Sequence, residues 1–170
     1  LQGLALVLIL LFVFLSARTA FWVAAGIPAA LFAAIGIMFI SGLTINMISL
    51  FALIICLGIV VDDAIVVGEH ADFRLRRLGE NPEEAAERGA TRMALPVFTA
   101  TITTVIAFAG LVVVGGRFGS LIADIPFTVI AVLIASLLEC FLVLPNHMAH
   151  ALRQKVLKKK WYDWPSDKFN

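Results

Sequence analysis

Five stretches of this chain run for 15 to 23 residues almost without charge: Leu1–Leu15, Ala20–Ile40, Ile45–Val67, Pro96–Val114 and Ile125–Leu144. A bilayer core about 30 Å thick is crossed by about 20 apolar residues in a helix. Inside it every segment must satisfy its own backbone groups, which leaves helices as the reasonable conformation for these runs. The expected fold is all-α: a polytopic membrane helix bundle of about five transmembrane helices, at about 1–15, 20–40, 45–69, 95–114 and 126–144. The first run is slightly short and has no Met or cap before it. It also lacks the basic start and cleavage site of a signal peptide. It reads as a cut through a transmembrane helix, and the chain as a fragment.

Composition excludes the competing classes. The chain is 61% hydrophobic and 15% charged, against about 45–50% and about 25% in soluble domains. Disordered chains are polar and charge-rich. Cys56 and Cys140 lie deep in apolar runs with no CxxC spacing, so neither a disulfide framework nor a zinc site is implied.

The connections are short or polar. Tight turns are expected at Ser16–Thr19 and Ser41–Thr44, a polar linker at 70–94, and a loop at Gly115–Gly119. Within the linker, Asn81-Pro82-Glu83-Glu84 has the pattern of a helix start: a capping residue, a first-turn proline and acids that complement the dipole. With five spans the connections alternate sides, and twelve of the thirteen Lys and Arg residues then fall on one side, Arg117 alone on the other. The positive-inside rule places the twelve in the cytoplasm.

The segment 146–170 has its own pattern. Met148, Leu152, Val156 and Leu157 recur at helical spacing beside Arg153, Lys155, Lys158, Lys159 and Lys160, and Trp161, Tyr162 and Trp164 follow. This is expected to be a basic amphipathic helix on the inner leaflet, with Lys158, Lys159, Lys160 and Trp161 at the membrane surface. A plain positive-inside flank and a calmodulin-type target are the other readings.

The candidate chemistry lies in carboxylates inside the membrane. Asp62 and Asp63 sit in the third run, about 6–8 Å to the cytoplasmic side of its centre. A charged Asp at mid-membrane costs roughly 2.5–3.5 kcal/mol on the insertion scale. No Lys or Arg lies within any of the five runs, so the pair is either protonated or matched by a cation from elsewhere. The alternative is a purely structural buried pair. Gly58, one turn before Asp62, and Ala64 beside it are small enough to let another helix approach. Glu69 follows Asp62 by two turns on the same face, as a proton-access group or an interface charge. Glu139 in the fifth run is a third intramembrane carboxylate, about one and a half turns before Pro145. Thr99, Thr101, Thr103 and Thr104 open the fourth run; they either hydrogen-bond the aspartates or bond back to their own helix.

Enzymatic readings find little support. Adjacent residues on a helix diverge by about 100°, so Asp62 and Asp63 alone cannot form an aspartyl-protease dyad. GxSxG, HExxH and P-loop motifs are absent from the sequence. An intramembrane hydrolase would need Glu139 as its second carboxylate, and a passive channel or scaffold would need none of the three. Proton coupling through the carboxylates is the physical option left beside these, the expectation of a secondary active transporter rather than an enzyme.

The stretch Gly58-Ile-Val-Val-Asp62-Asp63-Ala64-Ile-Val-Val-Gly-Glu69-His70 resembles the fourth transmembrane helix of resistance–nodulation–division (RND) exporters, in their hydrophobe/amphiphile, multidrug branch. There the pattern is G-x-x-V-D-D-A-I-V-V-x-E-N. The resemblance extends to Phe32–Asn46, to the Asn81–Met93 linker and to Leu144-Pro145. It implies that 1–145 is a partial RND transmembrane domain, from the second to the sixth helix of the first half. It implies a multi-pass protein of the bacterial inner membrane, a homotrimer with a periplasmic adaptor and an outer-membrane channel as partners. Asp62 and Asp63 match the proton-relay pair, and the Lys partner belongs to a helix of the second half. No cofactor beyond the proton-motive force, no metal and no nucleic acid is implied. His70 stands where the family usually has Asn, and Glu139 is outside the relay pattern. Metal exporters of the family tend to carry a single aspartate here, so the pair leans towards organic substrates; lipid-exporting and protein-translocating relatives share the architecture.

Overall fold

The computed structural model describes residues 17–113, 116, 119 and 122–157. The expected first span at 1–15 and the surface residues Lys158, Lys159, Lys160 and Trp161 lie outside the described residues. Every described element is a helix: α1 (Ala17–Ile40), α2 (Met47–Leu78), α3 (Pro82–Val112), α4 (Asp124–Leu138), a five-residue π-turn (Glu139–Val143) and α5 (Leu144–Leu157). Four helices are long and apolar enough to cross a membrane: Thr19–Ile40, Met47–Leu78, Pro82–Val112 and Asp124–Arg153.

Three boundaries differ from the sequence expectation. Ala17–Thr19, expected in a turn, already belong to α1. The polar linker at 70–94 is helical except for Gly79–Asn81. Charge ends a hydrocarbon span but does not end a helix, and α2 continues in water until a backbone signal stops it. At 32 residues it is about 48 Å long at 1.5 Å per residue. Gly79 stops it, adopting the left-handed conformation (φ 68°) that closes helix C-termini. Arg76 and Arg77 complement the dipole in its last turn. Pro82 then opens α3 at its first turn, although the Asn81 side chain makes no capping bond.

The third difference is at Leu144-Pro145, which does not end the last helix: helix runs on through Pro145 into α5. Proline lacks the N–H of the helical ladder and clashes with the carbonyl four residues back. The π-turn just before it absorbs the conflict. Leu144 N–H reaches back five residues to the Glu139 carbonyl, widening the turn where the α-register would fail.

Two buried clusters hold the helices together. Towards the Gly79 end of α2, Ala20 and Val23 of α1, Ala64, Val67 and Ala71 of α2, and Ala85, Ala86 and Ala90 of α3 meet Cys140, Leu144, Met148 and Leu152. Small side chains dominate, so backbones approach closely. A Cβ on Gly89 would lie 2.9 Å from the Ala71 Cα. The apolar stripe of the tail, Met148 and Leu152, is therefore used against protein, and Arg153 pairs with Glu83 at the start of α3. Towards the other end, Ala30 and Ala34 meet Ala52, Cys56 and Val60, with Val129, Val132 and Leu133.

Candidate functional site

The start of α2 is fixed by a capping box. The Asn46 side chain accepts from the Ile48 and Ser49 N–H groups at 2.9 and 3.0 Å, and the Ser49 hydroxyl accepts from the Asn46 N–H at 2.8 Å. The Asn46 amide also donates to Asp124 at 2.5 Å, tying α2 to the first turn of α4. The other end is fixed by Glu80, which receives two hydrogen bonds from Arg74, at 2.7 and 2.5 Å, and one from Arg88 at 3.0 Å. These contacts hold Glu80 below the usual carboxylate range, the Arg74 hydrogen bond most of all. The carboxylate pair of α2 thus sits on a helix anchored at both ends.

The helix splits the pair. Asp62 is exposed and belongs to a stripe with Gly58, Val66, Glu69 and Phe73, all exposed and three or four residues apart. Asp63, about 100° round the helix, is half-buried, and one of its carboxyl oxygens is buried without a hydrogen-bond partner. Beside it the Cys140 thiol lies 3.7 Å from the Asp63 main-chain carbonyl. Ala64 is buried among the described helices, whereas a Cβ on Gly58 would meet nothing within 4 Å. The two small residues flank the pair on different sides: one is packed, the other faces open space. Glu69 borders a shallow groove of about 370 Å³ with Val66, His70, Phe73 and Met93. The His70 ring stacks on Phe73 at 6.1 Å.

The threonines divide from the aspartates. Thr99, Thr101, Thr103 and Thr104 each donate to the carbonyl four residues back, at 2.7 to 3.1 Å. Of the two alternatives for Thr101 and Thr104, the structure takes the local one. Pro96 lies just before them, but the carbonyl it leaves without a donor is that of Arg92, four residues back, and the hydroxyls bond instead to Leu95, Val97, Thr99 and Ala100.

Glu139 is buried, 5% exposed, and faces the other helices. It lies on Gly26 of α1, where a Cβ would fall within 2.8 Å of the Glu139 carboxyl carbon. Asp63 and Glu139 do not hydrogen-bond each other, and each keeps a buried oxygen without a partner. That bond is the one a shared-proton dyad would use. Sequence reasoning missed the Gly26 floor and the π-turn, because their partners lie more than a hundred residues apart or act through the backbone. A glycine two residues before Pro28 was the one visible signal.

An intramembrane aspartate pair, split between an open and a closed face of a doubly anchored helix, is the geometry to set against known proteins. The family model for AcrB/AcrD/AcrF matches residues 1–170. The chain belongs to this family. It is 32% identical over 152 residues to the multidrug resistance protein MdtC of Pantoea ananatis, covering 89% of this chain and 15% of that protein. To MdtC of Escherichia coli O139:H28 it is 34% identical over 144 residues, 84% of this chain and 14% of the relative. To MdtC of Yersinia enterocolitica it is 34% identical over 159 residues, 93% and 15%. The chain spans about 15% of the length of these curated relatives. Membership in the AcrB/AcrD/AcrF family and four helices able to span a bilayer make it part of a multi-pass inner-membrane protein.

Proposed function

We propose that the chain is the proton-coupling part of an exporter that trades protons for hydrophobic or amphiphilic compounds, with Asp62 and Asp63 as the relay. The observation that carries this is the open face of α2. Asp62 is exposed there, one turn from a glycine with free space above it. An ionised Asp at this depth is costly without a cation, and the membrane part of each described helix is free of Lys and Arg. A cation-bearing helix docked over Gly58 would supply the partner, and the family resemblance points to a Lys of the second half. Protonation of the pair removes its attraction for that cation and lets the helices shift; release to the cytoplasm restores it. One charge moved through the potential is worth about 2.3 kcal/mol per 100 mV, and about 1.4 kcal/mol is a factor of ten in an equilibrium. The reading includes a homotrimer working with a periplasmic adaptor and an outer-membrane channel, and energy from the proton-motive force alone.

The test uses the complete transporter. Asn keeps the size of Asp and cannot ionise. Asp62→Asn and Asp63→Asn should each give a protein that inserts normally and no longer moves an amphiphilic dye under an imposed proton gradient. Wild-type pumping by both single variants would make the pair structural.

A further inference from the structure

We propose that Glu139 is a second proton-binding site, separate from the aspartate pair, which holds a proton while α1 is closed over it and gives it up when α1 and the π-turn part. The inference rests on the proton-coupled reading above and deepens it. Three independent observations converge on this carboxyl. It is nineteen-twentieths buried, with one oxygen that no group among the described residues contacts by hydrogen bond. Its room is made by the absence of a side chain at Gly26, since any Cβ there would overlap the carboxyl. And it is the first residue of the π-turn, whose carbonyl is held by the Leu144 N–H five residues on.

The surroundings decide what the carboxyl can bind. Of the helices packed against the turn, α2 brings Asp63 and the turn itself brings Cys140. α5 carries His147 two turns on, stacked on Trp22 of α1 at 4.5 Å. α1 has Arg18 at its start as its sole charge; α3 has none after Arg92; α4 has Asp124 in its first turn. The groups beside the turn are one acid and one thiol, and the membrane part of each described helix is free of Lys and Arg. An acid placed there has to be neutral while the helices are closed, because a lone carboxylate in hydrocarbon costs several kcal/mol. A merely structural role would be served more cheaply by Gln or Met. The proton is the occupant that removes the charge itself, where a metal cation would leave it in place.

The π-turn supplies the means of release. π-turns in α-helices concentrate at functional sites, and this one is followed by a proline that cannot donate to the ladder. The backbone at Glu139 is thus bound on one side by a long rung and followed by a missing one. Converting the turn to α-geometry rotates Glu139 off the Gly26 floor. A proton passes from water to the carboxylate as the floor closes, and from the carboxylic acid back to water as it opens.

The experiment is infrared pH-difference spectroscopy of the complete transporter in lipid vesicles, wild type against Glu139→Gln, with dye efflux followed over the same pH range. The wild type should show a protonated-carboxyl band that titrates and is lost in Glu139→Gln, and the efflux pH profile of the variant should shift. Gly26→Ala keeps the acid and disturbs its floor, so it should move the band without removing it. Identical spectra and pH profiles for wild type and Glu139→Gln overturn the inference. So does a band that disappears on adding sodium at constant pH, which would make the occupant a metal cation. The band should persist in Asp62→Asn. If Asp62→Asn and Asp63→Asn stop transport while Glu139→Gln matches wild type throughout, this inference alone fails. If both aspartate variants pump normally, the relay reading fails whatever Glu139 does.

Discussion

Asp62 and Glu139 are both acids set in the membrane beside a glycine, and their surroundings are opposite. Asp62 shares an exposed stripe with Gly58, above which an added Cβ would meet nothing within 4 Å. Glu139 is buried over Gly26, where an added Cβ would strike the carboxyl itself. A glycine next to an intramembrane acid therefore has two meanings. At Gly58 it leaves room for something beyond the described helices; at Gly26 the room is already taken by the acid. The first arrangement suits a charge that meets a partner, the second a charge that is removed by protonation.

The sharpest way to break this comparison is to fill both spaces. Gly26→Leu should cost about 1–3 kcal/mol through overpacking, seen as a lower unfolding temperature of the purified transporter. Gly58→Leu should leave the protein closer to wild-type stability and lower its transport by obstructing the docked helix. Equal losses of stability at the two positions would mean that the Gly58 face is packed as tightly as the Gly26 floor, and the contrast would be lost.

How legible these two sites were from sequence follows the same division. The aspartate pair is conspicuous through its cost, since two acids in an apolar run demand a partner or a proton wherever the helix packs. The run lengths point to the helices for a similar reason, because the bilayer fixes the number of residues a span needs. What failed was reading a helix end from a change of polarity. His70 to Leu78 is polar and stays helical, because the backbone has no breaker before Gly79. Pro145 looked like an end, but a widened turn five residues long lets the chain pass it. The threonines were ambiguous because a hydroxyl serves its own helix or a neighbour equally well, and only the packing of α3 decides. Glu139 was visible as an acid, but its floor on another helix was not.

A third region tests whether close approach through a missing side chain is particular to the acid. Gly89 packs on Ala71, with the Ala71 Cα 2.9 Å from where a Cβ would stand. Gly89→Ala should pry the α2–α3 hairpin apart and cost about 1 kcal/mol or more, less than the bulky change at Gly26 but with no effect on any carboxyl. A thermal-shift measurement that finds Gly89→Ala neutral would show that the hairpin relaxes easily. Comparable in size is the cap at the opposite end of α2. Asn46→Ala removes two capping bonds and the link to Asp124, for about 0.5–2 kcal/mol. Hydrogen exchange should quicken in the first turn of α2 and leave the Asp62–Asp63 turn unchanged; uniform quickening along the helix would mean that the two anchors do not act locally.

The smallest effect is expected at the Glu80 anchor, where an acid is neither open to a distant partner nor sealed, but held by its own arginines. Glu80 is clamped by Arg74 and, at 3.0 Å, by Arg88. The Arg74 hydrogen bond, and then that from Arg88, lower its pKa from the ordinary 4.5. A carboxyl with a lowered folded-state pKa stabilises the fold fully above its unfolded pKa, and the contribution is lost as pH falls through the folded value. Wild type should therefore lose stability on acidification below about pH 4.5 more steeply than Glu80→Gln, which has no charge to lose. At neutral pH the variant should be slightly less stable, and high salt should narrow the gap because partly exposed pairs are screened. The check is the unfolding temperature of both proteins across that acid range. Parallel curves would mean that Arg74 and Arg88 are paired equally well in the unfolded chain. The clamp would then merely accompany the Gly79 stop in closing α2 rather than reinforce it.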